Sequence, residues 1–88
     1  MDVREAVAIA LSFMKDLYRG QELPDMQLEE VELTEDDAFW LITFGFSRPS
    51  PPAHPLDALR LPTYERAYKT VKVDNRNGRV LSMKIRAP

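Results

Sequence analysis

The sequence predicts an α+β fold, with one N-terminal helix packed on an antiparallel sheet of about four strands. Three observations predict it. Apolar residues recur at spacings of three and four between residues 3 and 19, the period of a helix with one buried face. Further on, that period gives way to alternation, the pattern of strands with one face turned inward. Near the end of the chain, two alternating segments flank Asp74-Asn75-Arg76-Asn77-Gly78, a hairpin connection.

The helix is expected over residues 3–19. Val3, Val7, Ala10, Leu11, Met14, Leu17 and Tyr18 share one face, with Ile9 and Phe13 towards its flanks. An apolar surface this wide suits a helix lying across a sheet. Asp2 is a good N-cap, with Glu5 placed three residues on to complete a capping box. Gly20 suits a left-handed C-cap, and Arg19 complements the negative end of the helix dipole.

After a connector marked by Pro24 and Asp25, residues 28–33 read as a strand, with Val31 and Leu33 on one face and Glu30 and Glu32 on the other. The strongest strand covers 38–48. Trp40, Ile42, Phe44 and Phe46 share one face, while Phe39 and Leu41 open the other, so this strand is expected to be central. Gly45 marks either a bulge or a close approach. Residues 49–62, PSPPAHPLDALRLP, hold five of the seven prolines and cannot join a central ladder, because proline lacks the amide donor. They are expected to form a long exposed loop within a single domain spanning 1–88. The last strands cover 65–74 and 79–86. Ala67, Val71, Val73, Leu81, Met83 and Ile85 can face inward together, and Asn77 and Gly78 are able to take positive φ in the turn.

With 88 residues, 44% hydrophobic and 30% charged, the chain has enough material for one small core and is not disordered in composition. It has no cysteine, which excludes disulfides, thiolate metal sites and a cysteine nucleophile. The start MDVREAV is charged where an export signal is apolar, and no apolar run approaches a membrane span, so a cytoplasmic protein without a membrane partner is expected. A net charge of −2 conceals an asymmetry: residues 1–48 carry 4 basic and 11 acidic side chains, and residues 63–88 carry 7 and 2. Acidic and basic strands lying side by side would account for it.

Residues 6–17 in the helix, Phe39-Trp40 opening an apolar strand, and the hairpin YKTVKVDNRNGRVLSMKI, with Val73-Asp74, Gly78 and Val80 in order, form a recognisable series. The chain thereby resembles the PepSY-like group of small domains, and more loosely the cystatin-like arrangement of a sheet around one helix. That resemblance implies an inhibitory, chaperone-like or regulatory module and not an enzyme. Two departures stand out: no export signal, and an unusually long proline-rich stretch.

Chemistry-bearing patterns are few. His54 is the single histidine, lies between Ala53 and Pro55, and has only Asp57 nearby as an orienting carboxylate. The run Glu29, Glu30, Glu32, Glu35, Asp36 and Asp37 lacks the glycine of a calcium loop. The three glycines stand far apart, so no phosphate-cradling loop can be written, and no serine sits in a nucleophile elbow. No metal, no cofactor and no catalytic residue is expected. Arg66, Tyr68, Lys72, Lys84 and Arg86 combine basic and aromatic groups, but a pI near 5.3 speaks against nucleic acid.

The leading expectation is a non-enzymatic module that binds another protein through the exposed sheet face and the 49–62 loop. Tyr64, Arg66, Tyr68 and Lys72 on the face, with His54 and Leu56 in the loop, are the candidate contacts, because Arg and Tyr dominate interface energetics. A small-ligand carrier with its pocket between helix and sheet is the alternative. A homodimer paired through an edge strand is left open.

Overall fold

The computed structural model describes residues 1–50, 56 and 63–87. One helix, α1 (Val3–Leu17), precedes four strands: β1 (Gln27–Leu33), β2 (Phe39–Pro49), β3 (Tyr64–Asp74) and β4 (Val80–Arg86). The strands pair antiparallel in chain order, β1-β2-β3-β4, and α1 packs on one face. The α+β class, the N-terminal helix and the central place of β2 are as the sequence predicts.

The Asp2 carboxylate caps α1 by accepting the Glu5 amide at 2.9 Å. The helix closes two residues earlier than expected, at Leu17, and Gly20 then takes φ +82° in the turn beyond it. Ala6, Ala10 and Met14 are fully buried, whereas Val3 and Leu17 are 42% and 52% exposed. Angle does not explain this, because Val3 and Leu17 project within the same arc. Axial position does: Ala6 to Met14 spans about 12 Å of a helix about 22 Å long, so the residues at both ends overhang the core. The core itself is made of those three residues with Ile42, Phe44, Phe46, Ala67, Val71 and Val73.

Two bulges depart from simple alternation. In β1, Leu28 pairs with Phe44 and Glu30 with Thr43, so Glu29 is the extra residue. In β4, Ser82 pairs with Lys72 and Val80 with Val73, which makes Leu81 the extra residue. The expectation that Leu81 faces inward is therefore corrected. Val80 packs against the core in its place, and Leu81 is exposed. Ile85 shares the inner face with Met83 but lies beyond the reach of α1 and stays 77% exposed. β1 and β4 are also the sheet's edges, and each carries a bulge and charged side chains, the features that blunt edge-to-edge pairing.

The turns at one end of the sheet are tied together by Asn75. Its carboxamide oxygen accepts the Trp40 indole N–H at 2.8 Å, and its amide nitrogen donates to the Asp37 carbonyl at 2.9 Å. In the hairpin, Gly78 has φ +74° as expected, but Asn77 does not take positive φ. Its side chain accepts the Arg79 amide at 2.9 Å instead. Asn75→Ala leaves a half-buried indole N–H without its partner and is expected to cost about 1–2 kcal/mol. Urea denaturation followed by Trp40 fluorescence checks this, and an unchanged midpoint would remove Asn75 from the list of turn-fixing residues.

Candidate functional site

Strand alternation places Tyr64, Arg66, Tyr68 and Lys72 on the outer face of β3, away from α1. The structure gives them separate tasks. Arg66 is half-buried and acts as a staple across the sheet. One guanidinium nitrogen reaches Glu29 Oε1 at 2.9 Å, and the other donates to the Asp25 carbonyl at 2.8 Å. To do so it passes over Gly45, where an added Cβ would stand 2.8 Å from Arg66 Nη2 and 2.7 Å from Glu29 Oε1. Gly45 thus marks a close approach by side chains and not a bulge: it pairs with Gln27, and the bulge in β1 lies opposite Phe44 and Thr43.

Lys72 stands at the other end of the strand, its amino group 4.2 Å from the centre of the Phe39 ring. Eight residues of extended chain separate it from Tyr64, about 26 Å. Tyr68 lies between, half-buried and opposite Gly45 and Arg86. Leu56 is exposed, and His54 lies outside the described residues. Of the expected contacts on β3, Tyr64 and Lys72 therefore stand at opposite ends of the strand.

Opposite charges face each other across the sheet as expected, but the acidic and basic strands are not adjacent. β2 separates acidic β1 from basic β3 and β4, and the opposite charges meet across the face. Arg66 pairs with Glu29, and Arg86 crosses to Glu30. Beneath the second bridge, the Thr43 and Thr70 hydroxyls join at 2.9 Å. Both arginines that a nucleic-acid surface would need are already engaged with carboxylates.

Tyr64 belongs instead to a groove at the end of the sheet, where the proline-rich segment leaves and returns. The groove has a volume of about 520 Å³, and Tyr18, Leu23, Pro24, Phe46, Pro49 and Tyr64 supply its apolar lining. Tyr18 and Phe46 form a tilted ring pair with centroids 6.4 Å apart, and Tyr64 is 63% exposed. The base of the proline-rich segment is closed by the Ser50 amide donating to the Thr63 carbonyl at 2.9 Å and by Pro49 pairing with Tyr64. A second hollow, about 600 Å³, shares Tyr18, Gln21 and Leu23 and extends along α1 past Leu11 and Lys15.

One wall of the groove is the connector between α1 and β1, and it is fixed in place. The Ser47 amide donates to the Pro24 carbonyl at 2.9 Å, and the Ser47 hydroxyl donates to Asp25 Oδ2 at 3.0 Å. Together with Arg66, these bonds hold Asp25 at φ +55°, a left-handed conformation that aspartate adopts at some cost. Carboxylates dominate the rim. Glu22 and Asp25 line the groove, and the one cation among its described lining residues, Arg48, is paired with Glu65 at 2.8 Å. The sequence reading found Tyr64 and took Phe46 as core, where it lies. That Phe46 and Tyr18 also border a groove could not be read, since nothing local shows that the connector folds back beside the end of β2.

A hollow of about 440 Å³ at the opposite end is lined by Asp36, Asp37, Phe39, Asp74, Asn75 and Arg76. The Thr34 hydroxyl donates to Asp36 Oδ1 at 2.5 Å and the Ala38 amide at 3.1 Å, and in that order they hold the Asp36 carboxyl below its ordinary value of 3.8. A depressed folded-state pKa contributes stability that is present above the ordinary value and lost as pH falls through the depressed one. Asp36→Asn is therefore expected to remove the part of the turn's acid sensitivity that lies below pH 3.8. Amide chemical shifts of Ala38 followed during acid titration check it, and an unchanged titration would assign the effect to another carboxylate.

Among the described residues, no group of three or more His, Asp or Glu side chains stands placed to hold a metal ion, and no helix is long and apolar enough to cross a membrane. Compared with models of protein families, with curated proteins and with solved structures, the chain matches none.

Proposed function

We propose that this protein is a non-catalytic module that binds another protein, with an inhibitory or regulatory effect on it, through the groove at the base of the proline-rich segment. The observation that carries this reading is the groove: an aromatic floor, an exposed tyrosine and a wall held rigid by Arg66 and Ser47. Rigid aromatic anchors in a preformed hollow are where interface energy concentrates, because little entropy is lost in ordering them. The inhibitory or regulatory part comes from the PepSY-like resemblance. The lack of cysteine fits a reducing, cytoplasmic setting.

The competing reading is a small-ligand carrier, and one observation favours it: about 520 Å³ lies within the usual range for ligand pockets. The space lies at the end of the sheet, however. Between helix and sheet the layer is closed, with Met14, Ile42 and Val71 fully buried and Phe44 nearly so.

The test is affinity capture of the tagged protein from its host lysate after nuclease treatment, comparing wild type with Tyr64→Ala. Circular dichroism must show both folded. A stoichiometric protein partner that Tyr64→Ala sheds is the expected result. A partner retained equally by both would remove the groove from the interface. A small molecule carried through purification, seen by native mass spectrometry, would favour the carrier.

A further inference from the structure

We propose that the groove recognises a proline-rich, extended segment of a partner protein, flanked by a basic residue. This rests on the binding-module reading and names the chemistry of the partner.

Three features point to that occupant. The first is the lining. Tyr18 and Tyr64 present aromatic surface beside Pro24 and Pro49, backed by the nearly buried Phe46 ring, and proline rings pack well against such surfaces. A polyproline II segment has no internal hydrogen bonds, so all its carbonyls seek donors. The phenolic hydroxyls of Tyr18 and Tyr64 are donors of the right kind. The second feature is the backbone. On the connector side of β2 the Ser47 amide is already bonded to the Pro24 carbonyl and Pro49 has no N–H, so that edge offers an incoming strand no free donor. The stretch of β3 without a β4 partner, Tyr64 to Ala67, has its open edge on the other side. That disfavours recognition by β-augmentation. The third is charge. Among the described lining residues, Glu22 and Asp25 leave a negative rim once Arg48 is paired with Glu65, which complements a flanking arginine or lysine and repels an acidic one.

The wall is also prepared in advance. Asp25 is held at φ +55° by bonds to its carbonyl and its carboxylate, so the rim keeps its shape without the partner. A preformed groove and a preformed polyproline helix together lose little entropy on meeting. Arg66 acts here as a positioning residue, through Asp25, and not as a contact.

Fluorescence anisotropy of the full chain with labelled synthetic peptides tests this. An arginine-flanked hexaproline is expected to bind saturably. Replacing arginine by glutamate should weaken it about tenfold, and an arginine-flanked glycine-serine peptide should not bind. Tyr64→Ala should weaken hexaproline binding about thirtyfold, the scale of an interface hot spot. Glu22→Lys, at an exposed position that leaves the fold alone, should abolish the preference for arginine. Equal binding of the two hexaprolines, or none, overturns the proposal. So does concentration-dependent dimerisation by light scattering that the peptide reverses, which would assign the groove to residues 49–62 of a second copy. If no peptide binds but Tyr64→Ala still sheds the captured partner, the binding module stands and the proline assignment falls. If capture is also indifferent to Tyr64, both fall.

Discussion

Phe44→Ala is expected to lower stability by about 3–5 kcal/mol, the usual cost of emptying a phenylalanine-sized space in a core that collapses only partly. Phe44 is 2% exposed at the middle of the central strand, packed with Ile42, Val71 and the buried side of α1. A chain of this length has roughly 4–13 kcal/mol to lose, so the variant should stand close to its unfolding midpoint at room temperature. Urea denaturation with Trp40 fluorescence measures it. Phe39→Ala, on the outer face of the same strand beneath Lys72, is the control, expected to cost about 1 kcal/mol or less. The comparison also bears on function. If Phe44→Ala cost no more than Phe39→Ala, the layer between helix and sheet would not be a closed core, and the ligand-carrier reading would gain what the groove reading lost.

Most of the fold was legible because each element is locally consistent. Asp2 caps a helix, β2 has two apolar faces, and a five-residue turn ending in Gly78 joins two alternating strands. What alternation could not show was the bulge at Leu81. A single extra residue reverses which of the side chains beyond it face inward, and no residue type in the segment marks where it falls. The site was legible only in part. Tyr64 stood out as an exposed aromatic beside a proline-rich segment. Arg66 was read as a contact because a sequence shows its charge but not that Glu29 and the Asp25 carbonyl, 37 and 41 residues away, already hold it. Gly45 carried the hint, since a glycine in the middle of the strongest strand makes room for something. The partners crossing above it come from two other strands, and no local pattern names them.

Ala10→Leu and Leu17→Ala form the second test, because periodicity and structure rank them in opposite orders. On periodicity alone, Leu17 is the larger anchor of the apolar face and Ala10 a small residue with room to grow. In the structure, Ala10 is fully buried between Ala6 and Met14, where α1 lies against the sheet, and Leu17 is 52% exposed at the overhanging end. Three additional heavy atoms on Ala10 have no space unless the helix lifts from β2 and β3. Ala10→Leu is therefore expected to cost about 3 kcal/mol, at the upper end for overpacking. Leu17→Ala removes side-chain atoms already half in water and should cost under about 1 kcal/mol. Thermal unfolding separates the two readily, since 1 kcal/mol shifts the midpoint by about 4–8 °C in a domain of this size. The reverse order would mean that the helix docks through its C-terminal turn. Tyr18 follows Leu17 directly and forms the inner side of the groove, so such a docking would also close the site where the partner is proposed to bind.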